Sequence, residues 1–509
     1  MYQPWKFLIY MGADNVLYDN AQVCLREIVE GSLFSDVDMT VQIDGPTAAM
    51  ATRYQCEKGS KRLIWEAPEY YTADRGDRLR DFLDAAAANC NSHQRILLVL
   101  WGEGSGLDSV YFYGDMSDRR MADNPLNPLL EPGEDSRRLF KAMQAVQTMQ
   151  GAPDDVLNGQ NANLYVKNIE FGPILLEFSK KIGRRVDILG FDACLMAMAE
   201  ICYEVRESVS MVVGSDERVP KESWPYAWIL RDLARFPGMN ASTLSTLIVS
   251  KYVERYRNER VSLSVMNLSH SEELACAMSR LVEAFQGVAH NVALKRRIFR
   301  ARDASRNADQ AGYIDFGAFC QELMESFEER TPVHAAAKVV LFILKNQSYV
   351  QYHRSVGQEG TLNPYGLSIY FPAVLPPHAE GLEEATTEFR VATHAALSGH
   401  KDPPSTHKDP PSTHKDPPST HKDPPSTHKG PGSGRRDLPY THKGPGSGRI
   451  GPPHSRKDPS GVGSSGMTIT SYYILWDSYV PLAFNKTTGW ADFLARVLPD
   501  DSYQTGAGR

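Results

Sequence analysis

Val186-Asp187-Ile188-Leu189-Gly190-Phe191-Asp192-Ala193-Cys194-Leu195-Met196 is the stretch that decides the fold. Its first half is apolar without alternation, which is how a strand covered on both faces reads. Working outward, similar runs occur at Lys6 to Met11, Met39 to Ile43, Arg95 to Trp101 and Met211 to Gly214. Between them the spacing predicts helices over Ala21 to Val29, Arg78 to Asn89 with Asp77 as N-cap, Ile169 to Lys181, and Leu195 to Arg206. Strand and helix alternation over residues 1–230 predicts an α/β fold, a mostly parallel sheet flanked by helices on both faces. Ligands of such sheets bind beyond the carboxyl ends of the strands. Glu103 and Cys194 both follow such ends, so the fold is expected to bring them together.

The rest of the chain divides by composition. Residues 114–160 lose the periodicity and carry Asp118-Arg119-Arg120, several prolines and Arg137-Arg138, the pattern of a long surface loop. Residues 231–397 mix helical and strand patterns, with Arg260 to Met266 and Gly366 to Pro372 as the best strands, and read as a second α/β region or an extension of the sheet. Within 398–466, His-Lys-Asp-Pro-Pro-Ser-Thr recurs and then decays into Thr-His-Lys-Gly-Pro-Gly-Ser-Gly-Arg. Proline and small polar residues bury too little apolar surface to offset backbone ordering, so this segment is expected to be a disordered insertion. Its evenly spaced histidines invite a metal-binding reading, but single histidines on a flexible chain form no preorganised site. Order is expected to return over 467–500, with Tyr472 to Trp476 as a strand and Trp490 to Val497 as a closing helix.

Of 509 residues, 42% are hydrophobic and 23% charged, with a net charge of −7, which lacks the basic face of a nucleic-acid binder. No run approaches the ~18 apolar residues of a membrane span. The first strand is expected to start at Trp5, so no secretory signal is expected. The 7 cysteines show no CxxC pairing and suit reduced thiols in a cytoplasm better than a disulfide framework or a zinc site.

Several motifs occur in a telling order: Tyr10-Met11-Gly12-Ala13-Asp14-Asn15, Val41-Gln42-Ile43-Asp44, Asp74-Arg75-Gly76-Asp77, and Trp101-Gly102-Glu103-Gly104-Ser105-Gly106. Gly190-Phe191-Asp192-Ala193-Cys194, Ser215-Asp216-Glu217 and Gly366-Leu367-Ser368-Ile369-Tyr370-Phe371-Pro372 follow. Together they resemble the clostripain family of cysteine endopeptidases, family C11, relatives of caspases and gingipains. The resemblance implies a caspase-like domain over 1–230 with Cys194 as nucleophile, against the bland reading of a buried structural thiol. It implies an oxyanion-hole N–H from Gly104, with a second from Cys194, where the alternative is a plain turn glycine. It also implies an acidic pocket for a basic P1 residue, with Asp192 as the pocket carboxylate and Glu222 either a second acid or a solvated charge. Cleavage in the loop after the turn would fall at Arg119 or Arg120. Some members use calcium, but no EF-hand-like spacing appears, so no metal is predicted.

The resemblance places histidine where this chain has Glu103. A free thiol with a pKa of about 8.5 needs a cation or base beside it, and an ionised carboxylate opposes thiolate formation and offers no proton to the leaving amine. Losing the base of such a unit commonly costs on the order of 10⁴ to 10⁶ in rate. A protonated Glu103 acting as general acid, or a histidine from elsewhere, would restore a proton source. Two expectations follow: an endopeptidase cleaving proteins after Arg or Lys, impaired by Glu103, or a pseudopeptidase whose groove binds a peptide or regulates a partner.

Overall fold

The computed structural model describes residues 3–13, 17–45, 50–68, 75–104, 106–107, 168–305, 312–346, 349–357, 364–373, 375 and 476–498. Arg119, Arg120, the 114–160 loop and the repeat insertion 398–466 lie outside the described residues, as do residues 472–475 of the strand expected near the C-terminal end. Its last residue, Trp476, begins a short helix, Trp476–Tyr479.

Eleven strands are found among these residues: β1 Trp5–Gly12, β2 Asp38–Asp44, β3 Thr52–Glu57, β4 Ser60–Glu66, β5 Arg95–Trp101, β6 Val186–Asp192, β7 Val209–Gly214, β8 Val261–Asn267, β9 Tyr313–Asp315, β10 Val350–Val356 and β11 Ser368–Tyr370. Nine form one sheet in the order β10-β8-β7-β6-β5-β1-β2-β3-β4, and β11 pairs with β9 in a small second sheet. The centre, β2-β1-β5-β6-β7, is parallel, whereas β3, β4, β8 and β10 add on antiparallel at the two edges. The fold is therefore mixed α/β around a large, mainly parallel sheet, and β8 and β10 of the 231–397 region extend that same sheet.

The unalternated runs are explained by two cores. Phe7, Ile9 and Met11 of β1 pack into one with Val41, Val99, Ile188 and helices Tyr18–Ser32, Tyr226–Arg235 and Ala241–Arg255. Leu8 and Tyr10 pack into the other with Leu98, Leu189 and helices Asn168–Ile182, Ala199–Val205 and Ser271–Val288. Burial on both faces leaves no position for polar alternation.

Two helix expectations are corrected. The second helix runs Arg75–Ala87, so Asp77 is not its N-cap but lies in the first turn, where its carboxylate accepts a bond from Arg80 (2.8 Å). The helix expected from Leu195 begins only at Ala199, a difference that shapes the site.

Candidate active site

The site is built where the central ladder runs past its strands. Trp101 of β5 pairs with Asp192 of β6. Beyond them the Gly102 N–H donates to the Asp192 carbonyl (3.2 Å) and the Cys194 N–H to the Glu103 carbonyl (2.8 Å), joining the two turns. Gly104 has φ +67°, and a Cβ there would lie 2.4 Å from the Cys194 carbonyl oxygen and 2.6 Å from its nitrogen. Only glycine satisfies both the left-handed backbone and that approach. Glu103 and Cys194 thus meet, both half-buried in one cleft with Trp101, Asp192, Arg218, Val219, Pro220, Lys221 and Ser223.

Cys194 does not sit on a helix N-terminus. Leu195 takes φ +62°, and the next N–H groups turn to the loop after β7: Leu195 donates to Glu217 (3.1 Å) and Ala197 to Ser215 (2.9 Å). Those carbonyls, together with burial of Leu195, Met196 and Ala197, hold the chain non-helical until Met198. The Val219 N–H donates to Cys194 Sγ at 3.2 Å, and the thiol stands 3.9 Å from the Val219 carbonyl. The Cys194 N–H, expected to serve an oxyanion hole, is engaged by Glu103. The Gly104 N–H has no hydrogen-bond partner among the described residues.

Asp192 is buried, 2% exposed, yet lines the cleft. One oxygen accepts from the Trp224 N–H (3.1 Å) and the Tyr226 hydroxyl (2.9 Å); the other, Oδ1, has no hydrogen-bond partner among the described residues. Desolvation pushes its carboxyl up to about 7 against the lowering effect of those two bonds. Trp224 reaches this place because β6 carries glycine at 190, where a Cβ would lie 2.7 Å from the indole ring. Ser223, with φ +65°, accepts from the Trp101 indole N–H and, through its carbonyl, from the Tyr256 hydroxyl (2.6 Å). Two non-glycine residues in left-handed backbone beside one thiol mark strain held by its surroundings.

The structure brings together Glu103, Gly104, Cys194 and Asp192, but not Glu222, which is exposed and absent from the cleft lining, with Arg255 in its electrostatic neighbourhood. Sequence reasoning missed Val219 and the two cations Arg218 and Lys221. The signal was their place in the loop between Ser215-Asp216-Glu217 and Trp224, which runs past the end of β6. No histidine lines the cleft among the described residues. All 7 cysteines are free thiols. No group of three or more His, Cys, Asp or Glu among the described residues is placed to hold a metal ion, and no described helix is long and apolar enough to cross a membrane.

The model of the clostripain family, family C11 of the peptidases, matches residues 148–376. This span belongs to the clostripain family. It contains Asp192, Cys194 and Glu222, whereas Glu103 and Gly104 precede it. Solved structures similar to the chain include an inactive zymogen C11 protease from Parabacteroides distasonis, at 17% identity with 77% of this chain and 96% of that one covered and a TM-score of 0.48. Another is a secreted C11 cysteine protease from Bacteroides thetaiotaomicron in complex with an irreversible peptide inhibitor, at 16% identity, 77% and 99% coverage and a TM-score of 0.48. No curated protein sequence matches the chain. The matched span thus supplies the Cys194 side of the cleft, and the sheet places the Glu103 turn against it.

Proposed function

We propose that this protein carries the peptide-binding cleft of a cysteine endopeptidase directed at Arg or Lys, with turnover severely reduced by Glu103. The observation that carries this reading is the pairing, in one cleft, of Cys194 Sγ, which accepts the Val219 N–H at 3.2 Å, with the unpartnered Oδ1 of Asp192. A guanidinium or ammonium reaching Asp192 would supply the partner that Oδ1 lacks and draw the carboxyl toward its ionised form. The substrate carbonyl would then stand near Sγ, with the Gly104 N–H as the donor for developing negative charge. Glu103 occupies the wall where a proton donor to the leaving amine is required. Its presence favours the second reading, a pseudopeptidase that holds basic peptides without cutting them. Free thiols suit action in a reducing cytoplasm.

Covalent labelling by an arginyl acyloxymethyl ketone probe separates the two readings. A slowly active endopeptidase labels as it stands and loses the signal in Cys194→Ala, whereas a pseudopeptidase labels only after Glu103→His. Absence of labelling in both chains, with no binding of basic peptides, would refute the cleft assignment itself.

A further inference from the structure

We propose that Arg218 is a specificity-determining residue: it receives an acidic side chain, Asp or Glu, immediately flanking the basic P1 residue of the bound peptide. This rests on the reading of the cleft as a peptide site.

The cleft is divided by charge. The acids Glu103 and Asp192 come from the ends of β5 and β6, whereas the cations Arg218 and Lys221 come from the loop that follows β7. Arg218 is half-buried in the cleft wall, and its guanidinium has no hydrogen-bond or ion-pair partner among the described residues. The other arginines of this end are engaged: Arg260 donates twice to Glu217 (3.1 and 2.8 Å) and Arg255 twice to Glu27 (2.8 and 2.9 Å). A guanidinium presents five donors in a planar fork that matches a carboxylate, and half-burial raises the gain from such a partner.

Its position fixes which part of a peptide it can reach. Val219, the next residue, donates its N–H to Cys194 Sγ, so Arg218 is one peptide unit from the group that contacts the nucleophile. A chain that sends its basic side chain to Asp192 and its carbonyl to Sγ must pass this wall with the residue on one side or the other of P1. An acid there would meet Arg218. A basic residue there would meet repulsion, so the cleft would select a charge alternation rather than a run of basic residues.

The test is fluorescence anisotropy with the full chain carrying Cys194→Ala, so that no cleavage consumes the probe. Labelled peptides carry Arg at P1 with Gln on both sides, or with Glu replacing one Gln at a time; an Ala-for-Arg peptide is the control. The expected result is about tenfold tighter binding of one Glu peptide over the all-Gln peptide, lost in Arg218→Ala and partly kept in Arg218→Lys, and weakened by added salt. Equal affinity of all three Arg peptides, or a Glu preference that survives Arg218→Ala, would overturn it. The Ala-for-Arg control reads the P1 assignment separately. Loss of that contrast alone would refute the basic P1 preference, and loss of the Glu contrast alone would refute the role of Arg218.

Discussion

Asp192→Asn should gain stability relative to the unaltered chain as pH rises. A carboxyl raised from 3.8 to about 7 holds its proton more tightly in the fold than in the unfolded chain. The folded state therefore binds more protons between those values, and its stability falls as pH rises from about 4 to about 7. At about 1.4 kcal/mol per pK unit, burying the Asp192 carboxyl costs the unliganded fold about 4 kcal/mol at pH 8, where it is ionised, and about 1 kcal/mol at pH 4.5, where it holds its proton. Asparagine keeps the acceptor for the Trp224 N–H and the Tyr226 hydroxyl and cannot ionise. Its amide enters the place of the unpartnered Oδ1, where an unsatisfied donor costs about 1 to 3 kcal/mol at any pH. The constant term cancels between conditions, so the stability of the Asp192→Asn chain relative to the unaltered one should improve by about 3 kcal/mol between pH 4.5 and pH 8. Glu200 and Asp315, also pushed up to about 7 by burial, titrate alike in both chains. Urea unfolding of both chains at the two pH values reads the difference. A relative stability that is unchanged with pH, or that moves against the Asp192→Asn chain as pH rises, would refute the argument.

The same titration governs binding. Affinity for an Arg peptide should rise from pH 6 to pH 8 and level off above the Asp192 transition at about 7, and a flat profile in calorimetry would count against Asp192 as the P1 partner. Gly104→Ala forces a Cβ to 2.4 Å from the Cys194 carbonyl oxygen and a left-handed backbone that costs about 1 to 2 kcal/mol for a non-glycine residue. The turn must move away from Cys194, so thermal unfolding should come earlier and alkylation of Cys194 should change; unaltered melting would contradict the contact. Arg260→Ala removes two charge-assisted bonds to the 1%-exposed Glu217 carboxylate, whose carbonyl holds the Leu195 turn, and should cost about 2 to 4 kcal/mol, with part recovered in Arg260→Lys. Urea unfolding of the three chains checks that order.

The parallel centre of the sheet was legible because burial on both faces removes alternation: the Arg95 to Trp101 run matches β5, and the Trp490 to Val497 helix is found as expected. The β3–β4 hairpin was not. β4 is exposed along nearly all its length, so Ser60–Glu66 carries no core signature, and the one cue was Lys58-Gly59, both at positive φ, the mark of a two-residue hairpin turn. The late start of the helix after Cys194 was hidden for a different reason. Leu195 to Ala199 are all buried, which suits a helix as well as a turn clasped by the loop after β7, and only the long-range bonds to Ser215 and Glu217 decide between them. Asp192 and Cys194 stand one residue apart and were readable as a pair. Arg218 was not, because its meaning depends on the cleft wall it joins.

The central claim is that a working nucleophile and an acidic pocket are disabled by one carboxylate. The most direct measurement is the labelling rate of the arginyl acyloxymethyl ketone probe on the chain as it stands, on Glu103→His and on Cys194→Ala. The account predicts a rate for Glu103→His at least about 10³ above the unaltered chain, in line with the loss expected when a catalytic base is absent, and none for Cys194→Ala. Equal rates with and without the histidine would contradict it, because the thiol would then need no imidazole at position 103.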